Sequence, residues 1–311
     1  MKSTISRVAL LLAISASLFA NGCRSVASAP SGGSDSSVSN LAARRAELAD
    51  AHRKAALQAA NGDVVGALVG TMAPLGIYVA AVRELGKGPT AARTFLMRDT
   101  LIGRSRATWT VVRLDVSADG RDGYSYGFFD VIRANGDTVP GAYQAYWRRS
   151  DNGEWKTLAL RRGRRASGPT NTLPEAWRAD ATVYRSFPMR DTIEAWATLK
   201  AAEVAFSDSS VTSVRAAFMS FAAPDAAKIQ GPIYAFGREA IGEEFRTPPP
   251  SFNGIQWHAE WGTVALSNDL GFNIGPVSQR NPPAGAPQGP GGLFFTIWRR
   301  QPNGEWKYLV D

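Results

Sequence analysis

Two stretches of this chain are near copies, and that duplication constrains its architecture more than any other feature. The segment 147–158 recurs at 298–309. Trp147-Arg148-Arg149 answers Trp298-Arg299-Arg300. Asn152-Gly153-Glu154-Trp155-Lys156 answers Asn303-Gly304-Glu305-Trp306-Lys307, and Leu158 answers Leu309. Copies about half a chain apart mean a repeat of whole domains, not of a short solenoid unit. The match extends upstream. Trp109 stands to Gly123 and Gly127 as Trp257 stands to Gly271 and Gly275, and Gly141 precedes Trp147 as Gly292 precedes Trp298.

Each copy opens with helical spacing. Leu41, Leu48, Ala51, His52, Ala55 and Ala59 form one stripe, with Arg44, Glu47, Arg53 and Lys54 mostly elsewhere. Asn61-Gly62 ends that helix, and Asp63 can cap a second short one. In the second copy residues 190–206 read as a helix through Trp196, Leu199 and Glu203. Asp208, Ser209 or Ser210 then caps a helix running to residue 221. Strands follow. Residues 109–117 and 123–132 alternate, Asn135-Gly136-Asp137 signals a hairpin, and residues 141–149 and 154–160 form a second hairpin around Asn152-Gly153. In the second copy the Pro/Gly-rich stretch 281–292 replaces the first hairpin loop.

Outside the repeats the chain reads as export and attachment. Lys2 and Arg7 precede an apolar run to Ala20, then Asn21-Gly22-Cys23. A positive start, a short apolar core and small residues before a cut read as a secretory signal over residues 1–22. The small pair before the sole cysteine resembles a bacterial lipobox, making Cys23 the lipidated first residue. Ala20 stands where the usual pattern has leucine. Residues 23–40 are poor in large apolar side chains and read as a flexible tether, so the expected location is the cell envelope, held at a membrane through Cys23. Arg24 rather than aspartate after the cysteine favours the outer membrane facing the periplasm in a Gram-negative cell.

Removing Lys2 and Arg7 takes the formal charge from +8 to +6. Much of it sits in Arg161, Arg162, Arg164 and Arg165, read here as a solvated linker spanning residues 161–188, with no nucleic-acid partner. With one cysteine in the sequence, neither domain can close an internal disulfide.

Helices followed by strands that end in Tyr/Phe-x-x-x-Trp-Arg-Arg and then Gly-Glu-Trp-Lys resemble the SnoaL-like, or nuclear-transport-factor-2-like, superfamily. The resemblance covers residues 41–160 and 189–311. It implies an α+β fold of two cone-shaped domains, each with N-terminal helices packed on a strongly bent antiparallel sheet and a pocket between them. Members include isomerases, dehydratases, cyclases, small-molecule binders and scaffold modules, so the fold leaves function open.

The shared tryptophans read as core, and the asymmetric residues as candidates for function. Tyr124, Tyr126 and Phe128, with Asp130, share a strand face, and Tyr143 lies on a nearby strand. If that face is concave it makes an aromatic pocket for a small apolar ligand, with Asp130 as a possible base. His258 and Glu260 share a strand face in the second copy, with Thr110 and Val112 in their places in the first. A histidine beside a carboxylate can transfer protons. His52 reads as a buried histidine. Two distant histidines and no free mature thiol leave no zinc site, and no cofactor is expected. Three readings stay open: a non-catalytic binder of a small apolar ligand or envelope partner, an isomerase-, dehydratase- or cyclase-type enzyme with one working pocket, and a module whose two domains pair with each other.

Overall fold

The computed structural model describes residues 33–80, 84–99, 102, 105–165, 184–229, 233, 235–249, 252, 254–280 and 291–311. The signal, Cys23 and most of the 281–292 stretch lie outside these residues.

The first domain runs α1 (Gly33–Ala60), α2 (Val64–Gly70), β1 (Met72–Val79), β2 (Leu85–Lys87), α3 (Gly88–Arg98), β3 (Arg106–Val116), β4 (Asp122–Ile132), β5 (Thr138–Val139), β6 (Gly141–Arg149) and β7 (Trp155–Arg164). The second repeats this order as α4 (Thr192–Ser209), α5 (Val214–Phe221), β8 (Ala222–Lys228), β9 (Ala235–Phe236), α6 (Arg238–Glu244), β10 (Ile255–Trp257), β11 (Trp261–Val264), β12 (Leu270–Gln279), β13 (Leu293–Arg300) and β14 (Trp306–Val310). Each sheet has seven strands, ordered β2-β1-β7-β6-β4-β3 and β10-β12-β13-β14-β8-β9, with β5 on β4 and β11 on β12. The fold is α+β in two like halves, as expected.

Each sheet is mixed, however. β1 joins β7 in parallel, and β8 joins β14 in parallel. These strands follow the second helix directly and escape sequence reading. Met72–Val79 carries Pro74 and Gly76, and Ala222–Lys228 is alanine-rich with Pro224. Neither looks β-forming, so tertiary pairing decides.

Three boundaries differ from expectation. α1 begins at Gly33, inside the expected tether, because adding turns to an established helix costs little. α5 is capped by Ser213, whose Oγ accepts from Ala216 N at 3.2 Å, while Asp208 lies inside α4. Arg161, Arg162 and Arg164 belong to β7, not to a linker, because the alternation that buries Leu160 and Arg162 carries the strand past residue 160. Arg162 pairs with Asp99 at 2.5 Å.

The paired glycines explain how both sheets bend. At β3 on β4 the register slips by one residue between Val111 and Arg113, opposite Gly127. In the second domain β10 and β11 are interrupted at residues 258–260, opposite Gly275. A Cβ on Gly127 would sit 2.1 Å from the Thr110 carbonyl oxygen, and one on Gly275 would sit 1.9 Å from that of His258. Both positions are bulges that admit only glycine. Gly123 and Gly271 instead make room for Leu48 of α1 and Leu199 of α4, at 2.9 and 2.7 Å from a hypothetical Cβ.

Candidate functional site

Every shared residue of the terminal motif has a packing or hydrogen-bonding role. Trp147 and Trp298 are fully buried against the helices. Gly153 and Gly304 take φ of 91° and 90°, and the side chains of Asn152 and Asn303 accept from the backbone N–H of Glu154 and Glu305, each at 3.1 Å. Lys156 and Lys307 donate to Gly70 O and Ser220 O, at 3.1 and 2.8 Å, at the ends of α2 and α5. The motif is the closing hairpin of each domain.

Strand parity separates the four candidate aromatic residues. Gly127 pairs with Tyr143, so Tyr143 lies on the face opposite Tyr126. Tyr143 packs in the first cone at 5.2 Å from His52 and 5.4 Å from Trp109, ring to ring. Tyr124, Tyr126 and Phe128 lie on the outer face and join a core formed largely by the second domain, where Tyr126 meets Phe236 at 6.4 Å. They do not line one cavity. Asp130 accepts from Gly141 N at 2.9 Å and pairs with Arg165 at 3.5 Å, tying it to the strand ends.

His258 and Glu260 do come together, with Nε2 and Oε1 3.4 Å apart. They sit at the bulge, not on a regular strand face, and their side chains are 59% and 42% exposed.

The outer faces of the two sheets pack on each other. Tyr146 meets the Phe272 ring at 4.8 Å, and its hydroxyl donates to Asp122 at 2.7 Å. Gln144 donates to the Phe295 carbonyl. Asp269 accepts from Ala118 N at 3.1 Å, and Asp119 accepts from Ser267 N at 2.9 Å. Tyr184, just before the second domain, covers the Arg299 guanidinium at 3.4 Å and donates to Asp115.

The cone interiors differ at one decisive place. By the spacing that sets Trp147 on Trp298, His52 of α1 corresponds to Glu203 of α4. Both are fully buried. His52 packs 4.7 Å from Trp109 and 5.9 Å from Trp147, and its Nε2 has no hydrogen-bond partner among the described residues. Burial pushes its pKa down to about 3, so it is neutral. Glu203 accepts from Trp257 Nε1 at 2.9 Å, Trp298 Nε1 at 3.0 Å and Asn273 Nδ2 at 3.0 Å. Burial outweighs these donors and raises its pKa to about 8. No sequence signal marked Glu203 beyond its place on the helical stripe.

The second cone holds a cavity of about 240 Å³ between α4, α5 and the sheet. Its walls are aromatic: Phe206, Phe218, Phe252, Trp257 and Phe294. Its polar end is Lys228, Thr296, Asp311 and Arg161, the last from the first domain. Lys228 pairs with Asp311 at 3.6 Å, and Thr296 Oγ1 donates to Asp311 at 3.0 Å. In the first cone Tyr143 and Phe129 occupy the places of Phe294 and Val277, and both are fully buried. Among the described residues no cluster of His, Cys, Asp and Glu could hold a metal ion.

No protein family and no curated protein matches the sequence. Solved structures do match. An NTF2-like protein with a cystatin-like fold from Novosphingobium aromaticivorans is 18% identical, with 45% of this chain and 94% of that one covered and a TM-score of 0.33. An NTF2-like protein of unknown function from Pseudomonas putida is 13% identical, covering 42% and 92%, with a TM-score of 0.33. A protein of unknown function with a cystatin-like fold from Nostoc punctiforme is 15% identical, covering 38% and 87%, with a TM-score of 0.30. Of these three structures, two are described as NTF2-like and two as having a cystatin-like fold.

Proposed function

We propose that the protein is a non-catalytic binder of a small, mainly apolar molecule, held in the cone of the second domain. The aromatic cavity in that domain carries this reading. An apolar cavity of about 150 Å³ already accepts benzene, so 240 Å³ suits a substituted ring. The Asp311 side-chain carboxylate at the cavity's polar end is engaged by Lys228 and Thr296. A tethered general base is therefore not on offer there, and His258 with Glu260 faces water elsewhere. The first domain, its cone filled by Tyr143 and Phe129, serves as the packing partner.

A neutral fluorescent probe, N-phenyl-1-naphthylamine, tests the cavity. The full-length protein should enhance its emission, and Leu293→Trp, which adds bulk to the cavity lining, should abolish the enhancement while near-ultraviolet circular dichroism stays native. Enhancement that survives the substitution would rule the cavity out.

The binder is displayed from a membrane of the bacterial envelope through lipidated Cys23, on the strength of the Ala20-Asn21-Gly22-Cys23 sequence. Cys23→Ser should move the protein from the membrane to the soluble fraction, and an unchanged membrane fraction would refute the anchor.

A further inference from the structure

Trp257 faces two ways. Its ring lines the cavity of the second domain and meets Phe206, another wall, edge to face at 5.0 Å. Its Nε1 donates to Glu203 Oε1 at 2.9 Å, and its backbone N–H donates to Ser207 Oγ, one turn further along α4, at 3.0 Å. Of the three donors to the Glu203 carboxyl, Trp257 alone lines the cavity; Trp298 and Asn273 are not among its walls. In the first cone Trp109 stands at the place of Trp257, packs 4.7 Å from His52, and has Tyr143 beside it at 5.4 Å. The carboxyl and the cavity thus occur in the same cone.

The carboxyl is fully buried. β10, β12 and β13 present the uncharged Trp257, Asn273 and Trp298 to it. Asp311 repels its ionised form and is itself paired with Lys228 of β8 at 3.6 Å. Tyr308 of β14 keeps its proton, because burial holds it well above the usual phenol range. On α4, Lys200 lies over the Trp196 ring and Asp208 pairs with Arg280, while Arg215 of α5 donates to Gly242 O. Among the described residues no cation pairs with Glu203. Once ionised, this group gains relief only from water. A ligand that fills the cavity keeps water away from the Trp257 wall.

Resting on the cavity reading above, we infer that Glu203 is a positioning residue of the binding site: its protonated carboxyl holds Trp257 as the wall on which the ligand packs, and ligand binding is coupled to that proton. Reciprocity fixes the sign. Excluding water penalises the ionised form further, so the occupied site keeps its proton to higher pH than the empty one. Burial already raises Glu203 to about 8. Affinity is therefore full below that pH and is lost as pH rises through it.

N-phenyl-1-naphthylamine, which carries no charge across this range, tests the coupling with the full-length protein. Its affinity should fall at least about fivefold between pH 7 and pH 9.5, with near-ultraviolet circular dichroism native at both. Glu203→Gln cannot ionise, and its affinity should change by less than about twofold over the same interval. Calorimetry of the wild type at pH 8, in phosphate and in Tris, decides the matter if Glu203→Gln does not fold. Binding should take up protons from the buffer. Lys228, the cavity's own amine, would lose a proton on burial, so the sign tells the two groups apart. A pH-independent affinity in the wild type, a fall that persists in Glu203→Gln, or binding without proton uptake would each overturn the coupling and leave the cavity reading standing. Failure of the probe to bind at either pH would overturn the cavity reading with it.

Discussion

Arg299 Nη2 donates to the carbonyl of Val116, in the other domain, at 3.0 Å. The reverse contact also exists. Arg148, its counterpart in the first repeat, reaches the carbonyl of Val264, the counterpart of Val116, at 3.5 Å. A residue touching a partner site that touches its own equivalent is the mark of a two-fold, isologous interface, here within one chain. The first arginine of each Trp-Arg-Arg thus serves the contact between domains. Each also binds a buried aspartate: Arg299 holds Asp269 at 2.9 Å, and Arg148 holds Asp122 at 2.7 and 2.6 Å.

Arg299→Met should be strongly destabilising. It leaves Asp269 buried without its cation, a loss of about 3–5 kcal/mol. Urea unfolding should show this in the midpoint, with Arg148→Met costing less because that side chain is more exposed. Equal, small effects for the two variants would show that the reciprocal contacts do not hold the domains together.

His52 and Glu203 should give opposite pH signatures from equivalent positions. His52 titrates near 6.5 when unfolded and near 3 when folded, so the unfolded chain binds the extra proton between those values and stability falls with acidity there. Glu203 titrates near 4.5 unfolded and near 8 folded, so the folded chain holds the extra proton and stability falls as pH rises through that window. Their contributions oppose between 4.5 and 6.5. Unfolding free energy measured against pH should lose its acid-side slope in His52→Leu and its slope between 6.5 and 8 in Glu203→Gln. Slopes that match the wild type would show that neither group is desolvated as described.

The bulge glycines should resist alanine. Gly127→Ala and Gly275→Ala place a Cβ against a carbonyl oxygen and should cost about 1–3 kcal/mol or more. Gly70→Ala, with no atom within 4 Å of its Cβ and no positive φ, should be neutral or stabilising by about 0.5 kcal/mol. Chemical denaturation of the three variants checks the contrast.

His258→Ala and Glu260→Ala should each change stability by less than about 0.5 kcal/mol, as exposed surface residues do. Probe binding in the second cone should be unaffected. Loss of binding in either variant would revive a role for this pair.

The sequence conveyed two domains, the first two helices of each and most of their hairpins, because helix stripes and Asn-Gly turns are local signals, but not α3 or α6. β1 and β8 were illegible, since Pro, Gly and Ala give way only when β7 and β14 offer pairing. The face question turned on one bulge. Period-2 reading ran straight through residues 258–260, whereas the extra residue there breaks the alternation and delivers His258 and Glu260 to solvent. Arg161 looked like part of a charged linker, because nothing in its neighbourhood reveals that a second domain packs against it. Glu203 was hidden for the same reason, as its three donors come from β10, β12 and β13.

Gln144 and Phe295 correspond by repeat spacing, yet they meet each other at the interface. In a dimer of identical chains, whatever side chain lies near the axis must face a copy of itself, and every substitution is made twice. Joining the two halves in one polypeptide lifts that restriction. An amide can be set against the backbone beside a phenyl ring, a histidine cone beside a glutamate cone, and each half is free to change without forcing the same change on its twin.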